Sequence, residues 1–464
     1  MRLPMPDVLV VIPGIMGSTL LDRDGNELWG VKPGTLLKSI WHLGRNFKSL
    51  RLPAGIGDNP APDGVRPGAA IPIPHVVGKL LGNDGYGPLV EWLNKNFELR
   101  QPGNGAPGNL IVFPYDWRLS NRVTAKRIET ELVPLLDQWR KASGNPDAKF
   151  RFICHSMGGL VARWFTEVLG GRALTRQLIT LGTPHRGAAE ALVKLSNGLN
   201  PGFGPFRAHL TEILRSLPSA YQLLPTYRCV EAEAGPKRIN EVAIPGIDSA
   251  MLGDALAFHE NILAHAKREP PAGYRLFALK GIAQPTATGV RQRDGELESL
   301  FTLGGQDFAG DGTVPRISSH PTEWQDDAYA ATFGQQHAML QSDGSLHRQL
   351  FAILTASEIE RYAAAQTLFG LDVPEMIQAG EPLTVTAISA NGDTTLPLRA
   401  HLLDEGGNEV GKCLMRNLGQ GRYEAQFENI GPGLALVRVG SAAPAIPLNP
   451  VTGATIVWDQ NESS

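Results

Sequence analysis

Cysteine is scarce in this chain. Cys154, Cys229 and Cys413 are the only three in 464 residues. An odd number, so widely spaced, builds no disulfide framework and has no metal-ligand spacing. It fits a reducing compartment. Charge is also sparse and nearly balanced, with 43 Lys and Arg against 46 Asp and Glu. No basic block stands out, so nucleic acid is not an expected partner. Long apolar runs are missing. Nothing approaches the 18 or so residues that a transmembrane helix needs. The first apolar run, Val8-Leu-Val-Val-Ile12, is closed by Pro13-Gly14. It is too short for a signal-peptide core. The expected location is cytoplasmic, with secretion by a route lacking a cleaved signal left open. Glycine and proline, by contrast, are plentiful at 52 and 35. No long polar run accompanies them, so they mark turns and loops rather than disorder.

The apolar runs that do occur are short and regularly interrupted. Residues 8–12, 111–113, 150–153, 177–181 and 274–279 read as buried strands. Helix-period patterns at 86–97, 121–143 and 160–169 lie between several of them. Strands alternating with helices imply an α/β fold with a mainly parallel sheet covered on both faces. Ligands of such sheets bind at the carboxyl ends of the strands. Two long stretches break the alternation, at 23–85 (with Trp29, Trp41 and Phe47) and at 187–268. Both are read as cap or lid insertions. The amphipathic stretch 206–224 within the second fits a helix packed on the core equally well. A helical pattern over 345–365 closes the first domain, 1–370. From 375 to 464 short alternating strands are separated by Asn-Gly, Gly-Gly and Gly-Pro turns. That pattern suggests a small Ig-like β-sandwich.

The most informative segment is Phe152-Ile-Cys-His-Ser-Met-Gly-Gly159. A short apolar strand enters a small-residue turn, and a helical pattern leaves it. A serine at the apex of such a turn is lifted above the sheet, where its Oγ can act as a nucleophile. Cys154 stands where the usual motif has its first glycine, and it is small enough for the turn.

A nucleophilic Ser156 needs a base and a carboxylate to orient that base. In the α/β-hydrolase arrangement these follow in the order Ser, Asp, His. Asp311, in Gly310-Asp-Gly-Thr-Val-Pro315, is the best carboxylate. His337, on the loop before the last helical pattern, is the best base, with His347 as the weaker alternative. The developing oxyanion needs backbone N–H donors. Met157, next to the nucleophile, is one. Ile15, in the Gly-rich loop Val11-Ile-Pro-Gly-Ile-Met-Gly-Ser18, is the other, with Met16 as fallback and pocket candidate.

These stretches together resemble the lecithin:cholesterol acyltransferase family of lipid-acting α/β-hydrolases. The resemblance runs over about residues 7–365. Besides the two loops around Ile15 and Ser156, it is carried by Pro114-Tyr-Asp-Trp-Arg118, Gly182-Thr-Pro-His-Arg-Gly187, Arg215-Ser-Leu-Pro-Ser-Ala-Tyr-Gln-Leu-Leu-Pro225, Gly310–Pro315 and His337-Ala-Met-Leu340. It implies transfer of an acyl group from a phospholipid or similar ester to water or an alcohol, through an acyl-enzyme on Ser156. Hydrolysis is slightly favoured. No metal or cofactor is implied. Two departures stand out: no cysteine precedes Cys154, where secreted animal members close a disulfide loop, and the C-terminal strands lie outside the family core. The expected partners are the lipid or ester substrate, a membrane surface touched through the lid, and a protein partner docked on the β-sandwich. Competing expectations are a lipase activated within a larger assembly and a hydrolase-fold binding protein without turnover. Trp117 and Arg118 are pocket candidates. Their alternative role is bracing, with Arg118 paired to a nearby Asp.

Overall fold

The computed structural model describes residues 2–30, 50–71, 85–103, 105–198, 206–271, 273–324, 330–355, 369–390, 392–443 and 448–458. Six strands make one sheet: β1 (Val8–Ile12), β2 (Leu110–Val112), β3 (Phe150–His155), β4 (Thr175–Leu181), β5 (Arg275–Gly281) and β6 (Ala331–Phe333). Their order is β6-β5-β4-β3-β1-β2, and every pairing is parallel. The unbroken apolar run of β1 has a physical cause. Val8, Val10 and Ile12 enter the hydrophobic cluster on one face, and Leu9 and Val11 enter the cluster on the other. A strand covered on both sides has no position for a polar residue.

The covering helices follow from their local sequences. In α1 (Gly87–Asn96), Leu89 and Leu93 fall one turn apart and are the buried pair. In α2 (Asn121–Arg127), the Ser120 side chain caps the first turn by accepting from Arg122 N–H. The chain continues through a wider turn into α3 (Val133–Ser143), which ends at Gly144 with φ 66°. Helix α4 (Met157–Arg163) leaves β3, α5 (Ala189–Asn197) follows β4, and α8 (Gly344–Thr355) closes the unit after α6 (Phe206–Ser216) and α7 (Ser249–Ala266).

The two insertions differ from simple lids where they are described. Residues Ser18–Leu21, Glu27–Trp29 and Arg66–Ala70 form a small antiparallel sheet. Ile213, Leu214, Leu217, Leu223 and Leu224 belong to the same cluster as the central sheet. The 213–224 part of the amphipathic stretch is therefore docked on the core. Trp41, Phe47 and the 356–365 part of the expected last helix lie outside the described residues. Among the described residues, no helix is long and apolar enough to cross a membrane.

The C-terminal segment folds into two further sheets. Strands β7 (Phe369–Asp372), β8 (Met376–Gln378), β9 (Leu383–Ser389), β10 (Leu398–Leu403) and β11 (Glu409–Leu414) are followed by β12 (Arg416–Gly419), β13 (Arg422–Phe427), β14 (Gly433–Ser441) and β15 (Val451–Trp458). One sheet runs β7-β9-β13-β12 and is antiparallel. The other runs β8-β15-β14-β10-β11 and is antiparallel except where β8 meets β15. Val385, Ala387, Tyr423 and Phe427 of the first share one cluster with Leu398, Ala400, Val437 and Val457 of the second. The alternation read in the sequence is this inner face. Strand β7 (Phe369–Asp372) straddles residue 370, the expected end of the first domain.

Candidate active site

Ser156 sits between β3 and α4 with φ 51° and ψ −125°. A non-glycine residue there is strained, and the surroundings must hold it. They do so by close packing. A Cβ on Gly158 would lie 2.4 Å from the Pro13 carbonyl oxygen and 2.6 Å from that of Ile12. A Cβ on Gly14 would lie 2.9 Å from the Cβ of Ser156. The helix start, the strand β1 exit and the Gly-rich loop therefore touch backbone to backbone. Cys154 pairs with Ile12 and Thr180 within the sheet, so no special backbone shape is asked of it.

His337 opens a short helical turn, His337–Ser342, beyond β6. Its Nε2 lies 2.9 Å from Ser156 Oγ, and its Nδ1 lies 2.7 Å from Asp311 Oδ2. Asp311 uses its other oxygen, Oδ1, to accept from the backbone N–H groups of Thr313 (3.0 Å) and Val314 (2.7 Å). That is what the Gly-Asp-Gly-Thr-Val-Pro turn does: it folds back onto its own carboxylate. The His337 N–H also donates to the Asp311 carbonyl, at 2.7 Å. With Nδ1–H donating to the carboxylate, Nε2 is left as the acceptor for the serine hydroxyl. Ser156, His337 and Asp311 are 7%, 3% and 1% exposed. An arrangement of this kind can move the Oγ proton to imidazole while the oxygen attacks a carbonyl. His347 is engaged elsewhere: its Nε2 meets the Gln341 carbonyl and its ring stacks on Trp92 at 4.7 Å.

The loop carrying Ile15 and Met16 is held at every turn. Met16 has φ 59°. Its carbonyl accepts from Trp29 Nε1–H at 3.1 Å. Tyr115 donates its hydroxyl to the Pro13 carbonyl at 3.0 Å, and Trp117 Nε1–H donates to the Ser18 carbonyl at 3.1 Å. Gly14 N–H donates to the Tyr86 hydroxyl at 2.7 Å. Ile15 follows Gly14, which lies against Ser156, and Met157 is the first residue of α4. Trp117 and Arg118 are both buried. Arg118 pairs with Asp116 at 2.7 Å and with Asp63 at 2.8 Å. The Pro-Tyr-Asp-Trp-Arg run thus braces the Gly-rich loop from beneath, in line with the bracing alternative for Trp117 and Arg118.

Sequence reasoning missed several residues here. Tyr86 and His155 lie beneath the site, joined by a 2.9 Å hydrogen bond from the phenol to Nδ1. Burial, and then the neighbouring His337, push the pKa of His155 down to about 3, so it is neutral. Gln284, Gln335 and Gln336 surround the His337 loop from the other side. Nothing in the local sequence of any of these marks it. A cleft reaches His337 and Asp311 from the side of Leu371, Asp372 and Val373, and Ser156 does not line it.

Residues 86–246, about a third of the chain, match the lecithin:cholesterol acyltransferase family model. That match bears out the family recognised in the motifs. It contains the Pro-Tyr-Asp-Trp-Arg run, Ser156 and the turn after β4. The Gly-rich loop, Asp311 and His337 lie outside it. The match supports a lipid esterase or acyltransferase. No curated protein sequence matches the chain. Among solved structures, the Bacillus licheniformis lipase BlEst2 in its propeptide form is 11% identical, with a TM-score of 0.37 over 98% of this chain and 94% of that one. Its mature form is also 11% identical, with a TM-score of 0.35 over 76% and 94%. CopC from Methylosinus trichosporium OB3b is 11% identical, with a TM-score of 0.17 over 19% and 87%. Likenesses this weak say nothing about the activity.

Proposed function

We propose that the protein is a serine-dependent lipid esterase or acyltransferase that works through an acyl-enzyme on Ser156. The hydrogen-bonded chain from Ser156 through His337 to Asp311 carries this reading. We read residues 1–370 as an α/β-hydrolase domain and 375–464 as a β-sandwich domain. Ser156 Oγ attacks the ester carbonyl of a phospholipid or similar ester, and its proton passes to His337 Nε2. Asp311 stabilises the imidazolium. The N–H groups of Ile15 and Met157 receive the oxyanion. Collapse of the tetrahedral intermediate breaks the ester C–O bond, and His337 gives its proton to the leaving alcohol. Water, or a second alcohol, then attacks the acyl-enzyme as His337 removes its proton, and Ser156 is restored. Water is the favoured acceptor. No metal or organic cofactor is required by these steps.

The test combines labelling with product analysis. A fluorophosphonate should label the wild type and not Ser156→Ala, and His337→Ala should lose turnover by about three orders of magnitude or more. Mass spectrometry of products from a mixed lipid extract, with and without an added alcohol, identifies the acyl donor and acceptor. Undiminished turnover in either variant would overturn the reading.

A further inference from the structure

The loop that presents His337 has little regular structure of its own. It runs from the short edge strand β6 to the turn at His337–Ser342. Besides the bonds of His337 itself, its polar backbone is held by glutamine side chains. Gln284 is buried, and both ends of its amide are used. Nε2–H donates to the Gly334 carbonyl at 2.9 Å, and Oε1 accepts from Leu371 N–H at 2.8 Å. The Gln284 backbone N–H donates to the Gly310 carbonyl at 2.9 Å, beside Asp311. Gln336 Nε2–H donates to the Leu371 carbonyl at 2.6 Å. The Leu371 peptide, in β7 of the C-terminal unit, is therefore gripped on both sides by glutamines of the catalytic unit. Gln335 Oε1 accepts from Gln336 N–H at 3.0 Å and from Thr452 N–H at 3.1 Å, and Thr452 belongs to β15.

Two glycines let the C-terminal strands come this close. A Cβ on Gly370 would lie 2.3 Å from the Ala283 carbonyl oxygen. A Cβ on Gly453 would lie 2.7 Å from Val373 and 3.2 Å from Gln336 Oε1. Neither glycine has a positive φ, so each is asked for closeness and not for an unusual backbone.

We propose that the C-terminal β unit is a working part of the site, fixing the backbone that presents His337 through the seam of Gln284, Gln335 and Gln336. This rests on the reading of His337 as the base. The three glutamines are positioning residues: their side chains bond to backbone groups, and not to Ser156 or the His337 ring. A module merely tethered for docking would not share amide hydrogen bonds with the loops of both the base and the carboxylate. A base must be held to a fraction of an ångström, and small displacements of the reacting groups cost large factors in rate.

The test uses the full chain and a soluble p-nitrophenyl ester, with active sites counted by fluorophosphonate titration. Gln336→Ala removes the donor to Leu371, and Gly370→Ala pushes β7 away from the opposite side. Each should lower kcat per titrated site about tenfold with KM within about twofold. Both variants matching wild type per titrated site would overturn the inference. So would a lower melting temperature with fewer titratable sites and an unchanged kcat for those that remain. Turnover surviving in Ser156→Ala would instead remove the parent reading, and this inference with it.

Discussion

His155 donates its Nε2–H to the backbone carbonyl of His337 at 3.0 Å. A carbonyl can only accept, so the proton of this neutral ring is on Nε2 and its Nδ1 is bare. Tyr86 must then donate its hydroxyl to Nδ1, and the phenol oxygen accepts the Gly14 N–H. The chain of bonds Gly14–Tyr86–His155–His337 has one permitted direction. It ties the Gly-rich loop to the backbone of the candidate base, beneath Ser156.

Tyr86→Phe should break both ends of that tie at once. It leaves the Gly14 N–H and the His155 Nδ1 without their buried partner, at a cost of about 1–3 kcal/mol in stability for each. We expect kcat to fall about tenfold, with KM little changed, because the ring still fills its space and only the loop loses its anchor. Steady-state kinetics alongside thermal melts decide it. Wild-type kcat in a variant that is measurably less stable would confine Tyr86 to a structural role.

Gly158→Ala tests the close packing around Ser156. The added Cβ meets two backbone carbonyls, of Ile12 and Pro13, and neither is the end of a flexible side chain. Helix α4 must retreat from β1, carrying Met157 and Ser156 with it. Overpacking of this kind costs about 1–3 kcal/mol. Fluorophosphonate labelling should slow at least about tenfold, since Ser156 and the Met157 N–H shift relative to His337 and to the proposed second donor, Ile15. Labelling at the wild-type rate would show that the helix start has slack that the contacts do not suggest.

The parts legible in the sequence are those with a local cause. The apolar run of β1 is buried on both faces, and the inner face of the C-terminal sheets alternates. The Gly-rich turn at Gly158 and the carboxylate-turn at Asp311 can each be read from a few consecutive residues. Ser156, Asp311 and His337, chosen by chain order, lie in one hydrogen-bonded chain. The illegible parts have partners far away in sequence. Tyr86 looks like the first residue of a helical pattern until His155 is seen beside it. Gln335 and Gln336 look like loop residues until Thr452 and Leu371 arrive from the C-terminal unit. The edge strand Ala331–Phe333 is too short to announce itself. Trp117 and Arg118 are ambiguous in the sequence because a buried brace and a pocket wall use the same residue types.

Arg118→Ala separates those two roles. The guanidinium is fully buried and serves both Asp116 and Asp63. Removing it strands two carboxylates, which should cost about 3–5 kcal/mol. Arg118→Lys should recover only part of this, since an ammonium cannot reproduce the forked geometry. If Arg118 only braces, the folded fraction of Arg118→Lys keeps its preference among ester chain lengths. A changed chain-length profile, measured on p-nitrophenyl esters, would return Arg118 to the pocket.

Acid should destabilise this protein well above the range where carboxylates titrate. His155 is held neutral, at about 3, by burial and by His337, and burial with nearby Arg163 and His320 keeps the His185 pKa well below its usual value. For each, the folded pKa is below the unfolded one of about 6.5. Between the two values the unfolded chain binds a proton that the folded chain refuses, so stability is complete above about 6.5 and falls as pH falls. For His155 this amounts to about 1.4 kcal/mol per pH unit, or about 2 kcal/mol between neutrality and pH 5, and His185 acts in the same direction. Asp7, whose carboxyl is lowered from 3.8 despite its burial because Arg176, Arg151 and the Lys149 amide bind it, loses its contribution only at lower pH still. Denaturant unfolding at pH 7.5 and pH 5.0 should therefore differ by at least about 2 kcal/mol. In His155→Gln, where an amide can still donate to the His337 carbonyl, the difference should shrink by about one histidine's share. An unfolding midpoint that does not move between the two pH values would mean that the buried imidazoles are reached by solvent, and the single permitted direction of the Gly14–His337 chain would fall with it.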